Sequence, residues 1–178
     1  MAKARRSKRI RSFAPIARRD ARVLILGSMP GRKSLEARQY YAHRQNVFWR
    51  LIGELLAFDP LAQYGKRTQA LKTARIAVWD VLRSCTRAGS MDAGIDRDSE
   101  IANDFRAFFR RHRHISHVFF NGGKAAACFN RKVMPALGMR TLRYIRLPST
   151  SPANASVTYR RKRKAWQLIL DPGKRNRP

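Results

Sequence analysis

The sequence predicts an α/β protein with a mostly parallel sheet covered by helices on both faces. Two observations carry this. Short apolar runs of strand character alternate along the chain with amphipathic stretches of helical period. The 178 residues, 44% of them hydrophobic, are enough for one domain with a buried core.

Taken in order, the first strand is expected at residues 22–26 (RVLIL) and the first helix at 47–57, where apolar residues recur at 47, 48, 51, 52, 55 and 56. A second strand follows at 75–79 (RIAVW). The stretch 100–111 reads as a helix with Ile101, Phe105, Phe108 and Phe109 on one side. The third strand is 117–120 (HVFF), and the turn at Gly122 and Gly123 leads into a short helix at 124–129. The fourth strand is 142–147 (LRYIRL), and a strongly basic helix at 159–170 closes the fold with Trp166, Ile169 and Leu170. Residues 1–20 read as a basic N-terminal tail, 21–170 as the folded domain, and 171–178 as a polar C-terminal tail.

Charge bounds the function. Thirty-nine Lys and Arg against 11 Asp and Glu give a net charge of +28, with a sequence pI near 11.7. Self-repulsion on this scale calls for a polyanionic partner. Residues 1–22 hold nine basic residues and one acid, and residues 158–178 hold eight and one. The middle is basic as well, so the ends add non-specific affinity to an already basic body. No segment has the length of a membrane span or the apolar core of a secretory signal, and the expected location is the cytoplasm, on the nucleoid. Cys85 and Cys128 are far apart in sequence and form no CxxC pair. With four histidines at no metal-site spacing, no metal and no cofactor are expected.

In a parallel sheet the ligand lies beyond the carboxyl ends of the strands. Four loops occupy that position: 27–34, 83–92, 121–123 and 148–154. In the first, Gly27, Ser28, Met29, Pro30 and Gly31 turn the chain sharply and let backbone approach a ligand. Downstream come Tyr40 and Tyr41, then Asn46 at the start of a helix. An extruded base needs an aromatic face and polar groups for its edge, although Asn46 also suits a plain helix cap and the tyrosines suit core packing.

Around the second loop, Arg87, Ser90 and Asp92 fit either phosphate binding or a capping network. At the third strand's end Asn121 offers a donor and an acceptor side by side. That pair complements the carbonyl and N–H of hypoxanthine and opposes the reversed pattern of adenine, at about 1–3 kcal/mol per unpaired group. Uracil and guanine carry the same pair and are not separated by this argument. In the fourth loop Ser149, Thr150, Ser151 and Pro152 give a stiff hydroxyl-rich segment suited to DNA phosphates.

The motifs LGSMPG at 26–31, YYAH at 40–43, NVFW at 46–49, WDV at 79–81, RAGSMD at 87–92, FNG at 120–122 and LPSTSP at 147–152 together resemble the hypoxanthine-DNA glycosylases of the uracil-DNA glycosylase superfamily. The likeness spans residues 22 to 166. It implies a three-layer αβα fold around a four-stranded, mainly parallel sheet. It also implies a monofunctional enzyme, a monomer acting on double-stranded DNA that contains a deaminated base. Water would displace the base and leave an abasic site.

Some relatives carry a catalytic Asn in the first loop, where this chain has Met29. The resemblance therefore assigns the water to Asn46, with Asn121 assisting at the base and Tyr40 or Tyr41 stacking on it. Arg44 stands where a proline is expected, which would loosen the turn before Asn46. A non-catalytic basic DNA-binding protein would explain the charge but not four polar loops at the strand ends.

Overall fold

The structure is a computed structural model that describes residues 9–89, 91–138 and 141–172, with Asp92 described by its backbone alone. Its strands are β1 (Arg9–Arg11), β2 (Val23–Gly27), β3 (Ile76–Asp80), β4 (Leu82–Thr86), β5 (Ile101–Ala102), β6 (His117–Asn121) and β7 (Arg143–Leu147). Its α-helices are α1 (Arg32–Ala37), α2 (Phe48–Leu56), α3 (Tyr64–Thr73), α4 (Phe105–Arg111), α5 (Gly123–Lys132), α6 (Met134–Leu137) and α7 (Tyr159–Trp166).

The main sheet has four strands in the order β3-β2-β6-β7, and all three pairings are parallel. Helices flank it, as the α/β reading requires. β2 and β3 are buried along their whole length, which is why they read as unbroken apolar runs. Two aromatic clusters consolidate the core. One joins Phe105, Phe108 and Phe109 of α4 to Trp79 and Phe129. The other centres on Phe48, whose ring meets Tyr41, Trp49 and Trp166.

Because the strands are parallel, their last residues form one row. Gly27 pairs with Asp80 and Asn121 with Leu147. The chain leaves β2 for β3 on one side and returns to β6 on the other. The gap between β2 and β6 is the switch point at which such sheets hold ligands.

Two departures from the sequence reading matter. Residues 9–20, read as part of the tail, belong to the packed body. β1 pairs antiparallel with β4, which pairs with β5, in a second small sheet. Ile16 is 8% exposed and forms an antiparallel bridge to Val78 on the outer side of β3.

The helix expected from residue 100 begins at Phe105. Asp104 stops it there by accepting the Ala107 N–H at 2.9 Å. Upstream, Ile101 and Ala102 pair with β4 instead, and the buried Glu100 carboxylate pairs with Arg131 of α5. Arg131 holds its proton more tightly than usual because it hydrogen-bonds that carboxylate. Cys85 and Cys128 are free thiols and fully buried. Burial pushes the Cys128 thiol up to about 11, so it stays protonated and packs as a small apolar group.

Candidate active site

An open cavity of about 1090 Å³ lies over the carboxyl ends of the parallel strands, large enough for an extruded nucleotide. Gly27, Asp80, Asn121 and Leu147, the four strand-terminal residues, all line it. Four separate segments complete the wall: Gly27, Ser28, Met29, Pro30 and Gly31; Tyr40, Tyr41 and Asn46; Asn121; and Ser149, Thr150, Ser151 and Pro152. Sequence reasoning placed these residues at one site, and the fold brings them together.

The first loop is sharp because its carbonyls turn away from the cavity. Gly27 O accepts from Val81 N at 2.9 Å and Ser28 O from Leu82 N at 3.0 Å. Met29, 6% exposed, packs into the wall where a water-holding amide would otherwise stand. Gly27 has no room for a side chain, since a Cβ there would lie 2.5 Å from Asp80 Oδ1 and 3.3 Å from the Tyr41 hydroxyl. Replacing Gly27 by alanine is expected to displace that buried carboxylate and cut turnover by about 100-fold. Stability should fall by about 1–3 kcal/mol. Single-turnover rates and thermal melts check both, and an alanine variant at wild-type rate would refute the steric argument.

The two tyrosines part company. Tyr40 is 3% exposed, packs edge-on against Phe13, and donates its hydroxyl to Ala14 O at 3.2 Å. Burial, then the nearby Asp80 charge, pushes its pKa far up and keeps it a neutral donor. It is a core residue at the cavity wall, with little surface exposed. Tyr41 is half-buried, and its ring stacks on Phe48 at 3.9 Å with a 22° tilt. Its backbone is left-handed, at φ 55°. A bulky residue held in that region marks a position over-determined by its surroundings.

Asn46 stands just ahead of α2, one residue before the N-cap Val47. Its Oδ1 accepts from Phe48 N at 3.0 Å, which fixes the amide and leaves the oxygen's second lone pair and both Nδ2 hydrogens. The turn before it closes without a proline: Asn46 N donates to His43 O at 2.8 Å, and Gln45 N donates to His43 Nδ1 at 3.2 Å. Arg44 points into solvent, so its replacement of proline does not open the turn.

Two roles expected from sequence change. Asn121 does not hold its paired donor and acceptor toward the cavity. Its Nδ2 donates to Thr150 Oγ1 at 2.9 Å, and its Oδ1 accepts from Thr150 N at 2.8 Å. One N–H and one lone pair remain for a ligand. Thr150, expected to grip DNA, is 1% exposed and spends its polar atoms inside the protein. Ser149, Ser151 and Pro152 remain at the rim, with Ser149 Oγ accepting from Ser151 N at 3.2 Å and Ser151 Oγ from Ala153 N at 3.3 Å.

Arg87, also expected at DNA, does not reach the cavity. It is 7% exposed and sits in a bridge to Ile95 that closes the 87–95 loop. Its Nε and Nη1 have no hydrogen-bond partner among the described residues. Ser90 lies outside the described residues.

Two functional residues were missed. Asp80, 3% exposed, puts a carboxylate into the cavity wall. It can accept an N–H from a base edge and opposes a bare ring nitrogen. The rule that singled out Asn121, the last side chain of a strand, would have found it had the second strand been read one residue longer. Lys162, read as a solvated charge on a basic helix, is 5% exposed. Its Nζ donates to Asn154 O at 2.8 Å, and burial lowers its pKa. It ties α7 to the 148–154 loop. Arg32, Lys33 and Arg146 are the Lys and Arg residues that line the cavity.

Among the described residues no helix is long and apolar enough to cross a membrane, and no three His, Cys, Asp or Glu converge as metal ligands.

This geometry has close counterparts. The uracil DNA glycosylase superfamily matches residues 14–170. The hypoxanthine DNA glycosylase of Methanosarcina acetivorans is 34% identical over 162 residues, covering 90% of this chain and 97% of that protein. Its counterpart from Methanosarcina barkeri is 36% identical over 130 residues, 72% of this chain and 80% of that one. Among solved structures, the NMR structure of a Methanosarcina acetivorans protein assigned as a uracil DNA glycosylase superposes with a TM-score of 0.76 at 29% identity. It covers 92% of this chain and 98% of that one.

Proposed function

Because this chain belongs to the uracil DNA glycosylase superfamily and is a DNA glycosylase, we propose that it releases hypoxanthine from deoxyinosine in double-stranded DNA. The observation that carries the reading is the meeting of Asn46, Asn121 and Asp80 on one cavity, with Met29 where a relative's first-loop amide would stand. The names of the curated relatives support the choice of base.

In this mechanism the nucleotide is extruded into the cavity. Weak pairing of a deaminated base makes that step easier. The base lies against Tyr41, and its N–H faces the Asp80 carboxylate. Asn46 Oδ1 accepts a hydrogen bond from a water placed below C1′. The C1′–N9 bond breaks with its electron pair going to the base, water oxygen bonds to C1′, and the water's proton passes to solvent. An amide is a poor base, so positioning supplies most of the acceleration, together with N–H groups of Asn121 and the 27–31 loop facing the departing base. Ser149, Ser151 and Pro152 hold the backbone beside the extruded nucleotide, and the +28 charge draws the monomer to DNA on the nucleoid.

A uracil specificity is the second reading, favoured by the assignment of the structural neighbour and by Asp80, which accepts the N–H of either base. The test is one assay: duplexes carrying deoxyinosine, deoxyuridine or deoxyxanthosine, incubated with protein and cleaved with alkali. Strand scission at deoxyinosine, exceeding the other two, is the expected result. Scission at deoxyuridine alone moves the specificity, and a gel shift without scission at any of them makes the protein a binder.

A further inference from the structure

We infer that Thr150 is a positioning residue that holds the two cavity amides, Asn46 and Asn121, in a fixed relation; the inference rests on the reading of those amides given above. Thr150 is 1% exposed in the cavity wall. Its side chain and backbone both engage Asn121, Oγ1 accepting from Nδ2 at 2.9 Å and N donating to Oδ1 at 2.8 Å. Its carbonyl oxygen accepts from Val47 N at 3.1 Å. Val47 follows Asn46, whose own amide is tied one residue further on, to Phe48 N at 3.0 Å. One residue from the fourth loop thus links the end of β6 to the start of α2.

The chemistry of the clamp is directional. A carboxamide has nearly the same shape after a half-turn about its Cβ–Cγ axis. Thr150 removes that ambiguity through its backbone N–H, which must find the amide oxygen, while its hydroxyl takes the amide N–H. A turned Asn121 would set its Nδ2 donors against the Thr150 N–H, which can only donate. The remaining N–H and lone pair of Asn121 therefore reach the base in one order only.

The clamp is itself braced. Trp166 Nε1 donates to Pro148 O at 2.9 Å, Asn154 Nδ2 donates to Ser149 O at 3.2 Å, and Lys162 Nζ donates to Asn154 O at 2.8 Å. A ligand-facing group held by a braced neighbour keeps its aim without rearranging as charge develops.

The test compares Thr150→Val, which replaces the hydroxyl by a methyl of similar size, with Thr150→Ser, which keeps it, in the full chain. Single-turnover release from a deoxyinosine duplex is measured beside the dissociation constant of that duplex. Thr150→Val is expected to slow release by about tenfold, the worth of one hydrogen bond at a reacting group, and to leave binding within about twofold. Thr150→Ser is expected to restore most of the rate. In an Asn121→Ala background, Thr150→Val should cost nothing further.

The side-chain NH₂ resonances of Asn121 give a reading independent of activity. They should shift in Thr150→Val and stay near their wild-type positions in Thr150→Ser. Should the valine variant not fold, Thr150→Ala removes the same oxygen without a crowding methyl. Wild-type rates in the valine or alanine variant, or an equal loss in the Asn121→Ala background, overturn the inference. Wild-type protein that releases no hypoxanthine instead overturns the substrate reading, while the Asn121 resonances still decide the clamp.

Discussion

Asn46→Ala is expected to release hypoxanthine about 100- to 1000-fold more slowly than the wild-type protein, the range seen when one preorganised polar group is removed from a reacting centre. The residue also holds the Phe48 N–H through its Oδ1, so the substitution costs that hydrogen bond at the start of α2, about 1 kcal/mol of stability. The two effects separate experimentally. Asn46→Asp keeps an oxygen facing Phe48 N and should restore the melting temperature. A circular-dichroism melt beside single-turnover kinetics therefore distinguishes a chemical loss from a structural one. A folded alanine variant with wild-type kinetics would remove Asn46 from the reaction.

The largest effect on stability is expected at Trp166. Its side chain is 0% exposed, its ring meets Phe48 edge-on with centroids 5.8 Å apart, and its indole N–H holds Pro148 O. Trp166→Ala should cost about 3–5 kcal/mol through cavity formation and lower Tm by about 10 °C for a chain of this size. Trp166→Phe keeps most of the packing and loses only the donor, so about 1–2 kcal/mol is expected. Activity should fall in both, because the loop carrying Thr150 loses its anchor. Thermal melts of the two variants check the ordering; equal losses would mean that the indole N–H, not the ring, carries the stability.

The main sheet was legible because β2, β3 and β6 have buried apolar interiors, and burial on both faces leaves an unbroken apolar signal. The boundaries were less so. The second strand was read as 75–79 and the structure ends it at Asp80, and that single residue concealed the cavity carboxylate.

The second sheet left almost no trace. β1 is Arg-Ile-Arg within a basic run, and it becomes a strand only through pairing with β4, some 75 residues away. β4 itself reads LRSCT, a loop-like string. α3 buries one residue, Leu71, and shows little amphipathic contrast.

At the site, the rule that ligands gather at strand ends found the right loops. It could not assign roles within them, because residue type does not reveal burial. Ser149 and Thr150 look alike as hydroxyls, yet one stands at the rim and the other is sealed behind it. Tyr40 and Tyr41 are neighbours of one chemistry. The left-handed backbone at Tyr41 accompanies their split, one side chain buried in the core and the other half-buried at the cavity.

Ile16 exchanges both of its backbone hydrogen bonds with Val78, at 2.9 and 2.8 Å. β3 is the outermost strand on its side of the parallel sheet, and an outermost strand left open is a template for another chain. The N-terminal stretch thus covers an edge of the main sheet. It occupies the position that a foreign strand would take, and its arginines make the approach of a second, equally cationic copy unfavourable. Backbone pairing from the chain itself closes that margin of the sheet.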